Sequence, residues 1–201
     1  MSLRGKSVFG PNPKLYGVKH IPGEPGVWLF VFGDMIVFTV FFLIFLDYRA
    51  QHEAVFISSQ AMLNQMFGVV STILLLTGSW LVASGLQKAR AAQCRQASWF
   101  FILAWFSGFG FAIIKLFVYI SIFCIGVRPQ TNLFFSCFLV FTGIHMLHVV
   151  LGMLALYFMA RQTWAGPISA GKIAYLEIGA TFWHLVDLLW IVLFALFYLV
   201  K

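Results

Sequence analysis

TFWHLVDLLWIVLF, residues 181–194, decides the fold. The stretch is apolar enough to lie inside a bilayer, yet it carries His184 and Asp187 about one helical turn apart. Lipid offers a backbone no hydrogen-bonding partner, so a segment of this kind crosses as a helix. Ionisable groups at such depth are costly and point to function by default.

The same apolar character recurs along the chain. Of 201 residues, 62% are hydrophobic and 9% charged, against about 25% charged in an ordinary soluble domain. Spanning the roughly 30 Å hydrocarbon core takes about 20 mostly apolar residues. Five blocks satisfy this: 27–46, 62–86, 98–125, 133–159 and 173–200. Strands of a membrane barrel would alternate with period two; FFLIFL (41–46) and TILLLTG (72–78) do not. The sequence therefore predicts an all-α polytopic membrane protein. A bundle of five transmembrane helices occupies residues 27–201, behind a Gly- and Pro-rich basic tail at 1–26. The first block is full length and starts late, so it is expected to stay in the mature protein rather than be cleaved as a signal.

The net charge is +7, and its distribution reads as topology. Arg4, Lys6, Lys14 and Lys19 precede the first span. Lys88, Arg90 and Arg95 follow the second, and Arg161 and Lys172 follow the fourth. The alternate side has Arg49, Arg128 and Lys201. Positive flanks stay in the cytoplasm, which predicts a cytoplasmic N-terminus and an outer C-terminus. Nucleic-acid binding would need a clustered basic face, so no nucleic-acid partner is expected. Cys94, Cys124 and Cys137 form no disulfide framework; the last two read as small buried hydrophobes.

The ionisable residues inside the spans are Asp34, Lys115, His145, His148, Glu177, His184 and Asp187. At about 1.5 Å per residue, Asp34, His148, His184 and Asp187 fall roughly 10–20 Å from the cytoplasmic side, in one slab on three helices. At about 100° per residue, Glu177, His184 and Asp187 lie within roughly 80° of arc, a polar stripe expected to face protein. Trp183 and Trp190 form a separate stripe, expected to be free for lipid or a partner. Gly143 and Gly152 would let a neighbouring helix approach His145 and His148. Three readings fit these polar groups. They pair with one another and pin the helices, with Asp34 and His148 as counterparts of His184 and Asp187. They relay protons through Asp34, Glu177 or Asp187. Or a pair such as His148 and His184 holds a haem. No catalytic constellation and no metal-ligand spacing is visible. Lys115 has no acid on its own span, so it either snorkels outward or pairs with a carboxylate from another helix or chain.

FTGIHMLHVVLG (141–152) and LEIGATFWHLVDLLWIVLF (176–194) resemble the subunit III family of haem–copper oxidases. The resemblance lies in Thr142, Gly143, His145, His148, Val149 and Gly152, then in Glu177, Trp183, His184, Val186, Asp187 and Trp190. FGDMIVFTVFF (32–42) is similar to the family's segment around a membrane carboxylate, with Asp34 in place of the usual Glu. GFGFAIIKLFVYI (108–120) departs from the family's pattern. Val118 precedes Tyr119 where an acid is usual, and Lys115 stands where many members have Gln. The resemblance covers about residues 22–200 and matches the last five of the family's seven spans. PGEPGVWLFVFGDM (22–35) looks most like short members associated with nitric oxide reductase. The family implies an accessory role. Such a chain binds no haem or metal of its own and holds structural phospholipids. It packs on a catalytic haem-bearing subunit I in a bacterial inner membrane and supports electron transport and proton uptake. A subunit III proper of a proton-pumping cytochrome c or quinol oxidase is the close alternative, and a haem b-carrying electron-transfer subunit the distant one.

Overall fold

The computed structural model describes residues 25–128, 131–166 and 169–200. The expected tail at 1–26 therefore lies almost wholly outside the described residues. The order is α1 (Pro25–Gln51), α2 (Glu53–Ala61), α3 (Gln65–Arg90), α4 (Cys94–Cys124), α5 (Leu133–Trp164) and α6 (Ala170–Phe194). A π-helical turn, Ala195–Leu199, continues α6. No strand occurs among the described residues. Among the described residues five helices are long and apolar enough to cross a membrane: Trp28–Gln51, Gln65–Arg90, Cys94–Cys124, Leu133–Trp164 and Gly171–Leu199.

Most helices run past the expected block ends, because the polar flanking residues complete helical turns instead of starting loops. The interval between the first two blocks is helical as well: α1 continues to Gln51 and α2 follows. Helix α2 forms because Phe56 can be buried, edge-on to Phe45 of α1 and Phe134 of α5, at 5.3 and 5.6 Å between ring centroids. Glu53 in its first turn complements the helix dipole. Two asparagines punctuate the chain. Asn64 caps α3 by accepting from the Met66 amide at 3.0 Å. Asn132 caps α5 through the Phe135 amide, and its amide group donates to Ser59 Oγ at 2.8 Å, tying α2 to α5. A turn of three residues joins α3 to α4, with Ala92 at φ +60°. Cys137 is buried as expected, but Cys124 is exposed, because the end of α4 has no covering neighbour on that side.

Helix α6 packs against both α3 and α5, α4 packs against α3 and α5, and α1 lies on α5 and α6. Without a hydrophobic drive between helices in lipid, association depends on close packing and interhelical hydrogen bonds. Both are present. The Trp183 ring sits where three glycines from three helices leave a hole. A Cβ on Gly78, Gly108 or Gly152 would come within 3.3, 2.7 and 2.9 Å of it. Ser98 Oγ donates to the Ala160 carbonyl at 2.9 Å and Ser107 Oγ to the Leu74 carbonyl, so α4 is fastened to both neighbours. Trp183 and Trp190 are both 0% exposed. The expected lipid-facing aromatic stripe is therefore corrected: the two indoles are the centre of the bundle. Gly143 does not serve the role expected of it, since no atom lies within 4 Å of where its Cβ would stand.

Candidate intramembrane polar site

Helix α1 is mostly exposed, burying Val31, Phe38 and Phe45. Seven-residue spacing puts these three on one stripe, and Asp34 lies next to it. That placement brings Asp34 Oδ1 to 3.1 Å from His148 Nε2 on α5, with both side chains 12% exposed. Phe38 packs edge-on to the His148 ring at 5.7 Å, and Phe182 of α6 lies at 6.3 Å from it. His148 Nδ1 donates to the Ile144 carbonyl at 2.9 Å. Since that nitrogen already spends its proton on a carbonyl, the Asp34 contact needs a second one. It is held either as an imidazolium facing a carboxylate or as a carboxylic acid facing an imidazole. The pair is thus a half-buried proton-holding link between α1 and α5.

His184 and Asp187 do not join it. His184 Nδ1 lies 2.6 Å from Ser79 Oγ on α3, a contact in which the proton sits on the serine or on the ring according to the tautomer. Asp187 Oδ1 has no partner. Asp187 is buried, whereas His184 is exposed on the outer side of α6, a correction to a polar stripe wholly turned to protein. Glu177 pairs with Arg90 at 2.8 Å, at the end of α3 and the start of α6. His145 Nε2 donates to the Val186 carbonyl at 3.0 Å, and its ring is wedged between Phe111 and Trp190. The polar residues therefore form separate links: α1 to α5, α3 to α6 twice, and α5 to α6. Residues sharing a depth do not meet as one cluster, because they lie on different sides of α6.

Both nitrogens of His148 are engaged, and His184 faces α3 rather than α5. Among the described residues no three His, Cys, Asp or Glu side chains are grouped for a metal ion.

Lys115 neither snorkels nor pairs with an acid. It is 1% exposed and its Nζ has no hydrogen-bond partner. Instead the ammonium sits 4.0 Å from the Trp190 ring, with Phe111, Phe138 and Tyr198 at 5.5–5.9 Å. Desolvated cation–π contacts contribute about 2 kcal/mol, and the π-helical turn is what buries Tyr198 alongside. Trp190 is fixed in turn by donating Nε1–H to Thr72 Oγ1 at 3.0 Å. Lys115→Met keeps an unbranched side chain one heavy atom shorter and removes the charge. Replacing a buried ion by an apolar side chain of similar volume is commonly neutral or stabilising by a few kcal/mol. Thermal unfolding in detergent should show the variant at least as stable as the parent, and Lys115→Ala less stable because of the cavity. A Lys115→Met variant that unfolds at markedly lower temperature would show that the charge itself holds the bundle.

Reading the residues alone missed three participants. Ser79 is one small hydroxyl among several in α3, and Arg90 reads as a topology charge. The glycine hole could have been found from Gly78, Gly108 and Gly152 lying at similar depth on their spans, opposite a tryptophan.

No family model matches the chain. Its relatives are nevertheless clear. It is 33% identical over 176 residues to cytochrome c oxidase subunit 3 of Synechocystis sp., covering 87% of this chain and 74% of that protein. It is 28% identical to cytochrome c oxidase subunit 3 of Thermostichus vulcanus over 176 residues, 87% and 85% of the two chains. It is also 25% identical to cytochrome bo(3) ubiquinol oxidase subunit 3 of Pseudomonas aeruginosa over 174 residues, 87% and 83% of the two chains. With five membrane-spanning helices and relatives on both the cytochrome c and the quinol branch, the chain is a multi-pass membrane protein that belongs to the subunit III family of haem–copper oxidases.

Proposed function

We propose that this chain is a non-catalytic accessory subunit of a haem–copper respiratory complex in a bacterial inner membrane, with its N-terminus in the cytoplasm. The observation that carries the reading is the use made of its polar residues. Asp34–His148, Ser79–His184, Arg90–Glu177 and His145–Val186 join helix to helix. The chain stabilises a haem-bearing subunit I, supports its electron transport and proton uptake, and carries structural phospholipid on its exposed apolar faces. Haem and metal belong to the partner. Relatives named as oxygen-reducing oxidase subunits support an oxidase as that partner. The segment at 22–35 supports the second reading, a nitric oxide reductase complex.

Purification of an affinity-tagged chain from native membranes in mild detergent tests this. A haem-bearing partner should co-purify, and the chain stripped from it should lack a Soret band. A Soret band on the isolated chain would overturn the accessory reading, as would a preparation in which no haem-bearing protein accompanies it.

A further inference from the structure

We propose that the cavity between the α3–α4 turn and the end of α5 binds the phosphate headgroup of an anionic phospholipid, whose acyl chain runs down the adjoining groove of α4. The site deepens the lipid-carrying part of the reading above and rests on that part alone, with no need of a haem-bearing partner.

The cavity holds about 660 Å³ at the end of the bundle read as cytoplasmic, and Arg90, Gln93, Arg95, Gln96 and Trp164 are among the residues that line it. A second hollow of about 360 Å³ opens beside it, lined by Gln96, Trp99, Phe100 and Leu103. Gln96 belongs to both. Gln96, Trp99 and Leu103 follow the i, i+3, i+7 spacing of one helix face, so the groove descends about 10 Å from the cavity toward the membrane interior. A polar hollow that continues into an apolar groove fits an amphiphile rather than a free solute. Trp99 and Trp164 are exposed beside it, at the headgroup level that indole rings prefer.

Charge names the head. Arg90 spends Nε and Nη2 on Glu177, whereas Arg95 has no carboxylate partner among the described residues. The Arg95 guanidinium lies instead 5.1 Å from the Trp164 ring, which packs edge-on to Trp99 at 5.9 Å. Packing on an indole orients a guanidinium and leaves its N–H groups for a phosphate. Arg95 also stands in the first turn of α4, where no acid accompanies it and the helix dipole is already positive. The helix gains nothing from a cation there, while a bound anion neutralises both. Lys88, Arg161 and Lys172 add positive charge at the same end of the bundle, and basic pockets between spans on the cytoplasmic side recruit acidic headgroups in this way.

Native mass spectrometry of the full-length chain in mild detergent, titrated with phosphatidylglycerol and with phosphatidylcholine, tests the site. Phosphatidylglycerol should bind more tightly. Arg95→Gln should weaken phosphatidylglycerol about fivefold, the worth of one basic residue at a lipid surface, and leave phosphatidylcholine unchanged. Arg95 is exposed, so the variant should unfold at the same temperature as the parent. Arg161→Gln removes a charge from the same end but outside the cavity, and should leave both affinities as they are. Trp99→Ala should weaken both lipids by opening the acyl groove. Equal affinity of the parent for the two lipids overturns the site, and so do equal losses in the Arg95 and Arg161 variants. Full displacement of phosphatidylglycerol by inorganic phosphate at equal concentration would mark a pocket for free anions and overturn the lipid assignment. None of these outcomes bears on the accessory reading, which the co-purification of a haem-bearing protein decides separately.

Discussion

Replacing Trp183 by Ala is expected to lower the stability of the bundle by about 3–5 kcal/mol, the usual range for deleting a buried aromatic ring. The reason is geometric. The indole fills the space that Gly78, Gly108 and Gly152 leave open on α3, α4 and α5, so its removal opens a cavity touching three helices at once. Neighbouring helices cannot close that space without abandoning Ser107 to Leu74 and Trp190 to Thr72. In lipid nothing apolar is gained by exposing the cavity walls, and the lost term is close packing itself. The converse change should be as severe. Gly108→Leu would drive a side chain into the Trp183 ring, which already lies 2.7 Å from where a Cβ would stand. Both are read by thermal unfolding of the purified chain. A Trp183→Ala protein that unfolds within a degree or two of the parent would show that the glycine hole does not organise the fold.

The second large effect belongs to the Asp34–His148 link. His148→Leu should destabilise the chain by about 2–4 kcal/mol, somewhat below the cost of leaving one member of a fully buried pair without its partner, since both side chains are 12% exposed. Helix α1 is the element at risk, because it is mostly exposed and buries few side chains. Asp34→Leu combined with His148→Leu should recover much of the loss, since two leucines can pack where the pair stood. A double-mutant cycle on thermal stability measures this directly. Additive losses would mean that the two side chains do not act on each other.

The five crossings were legible because length and apolarity in lipid leave a backbone no alternative to helix. The polar residues were legible as a set for the same reason: an imidazole or a carboxylate in such a block stands out. Their pairing was not. A helical wheel fixes the angle between His184 and Trp183 but not which way the helix faces, and neighbours decide that. Trp183 enters the glycine hole, and His184, about 100° away, is turned outward. Lys115 illustrates a second limit. Its own helix has no acid, which points to a carboxylate elsewhere, while the groups that accommodate it are ring faces from its own helix, α5 and the end of α6. Helix α2 was missed because its apolar content is low and its burial depends on Phe45 and Phe134, far away in sequence.

The relatives bear the names of oxidase subunits, and in this chain the polar side chains join helix to helix. The proposed division of labour can be measured by the haem content of the partner complex purified from cells with and without this chain. The account predicts the same haem-to-protein ratio in the catalytic subunit and the same visible spectrum, with a lower thermal stability when the chain is absent. Loss of a whole haem on its removal would contradict it.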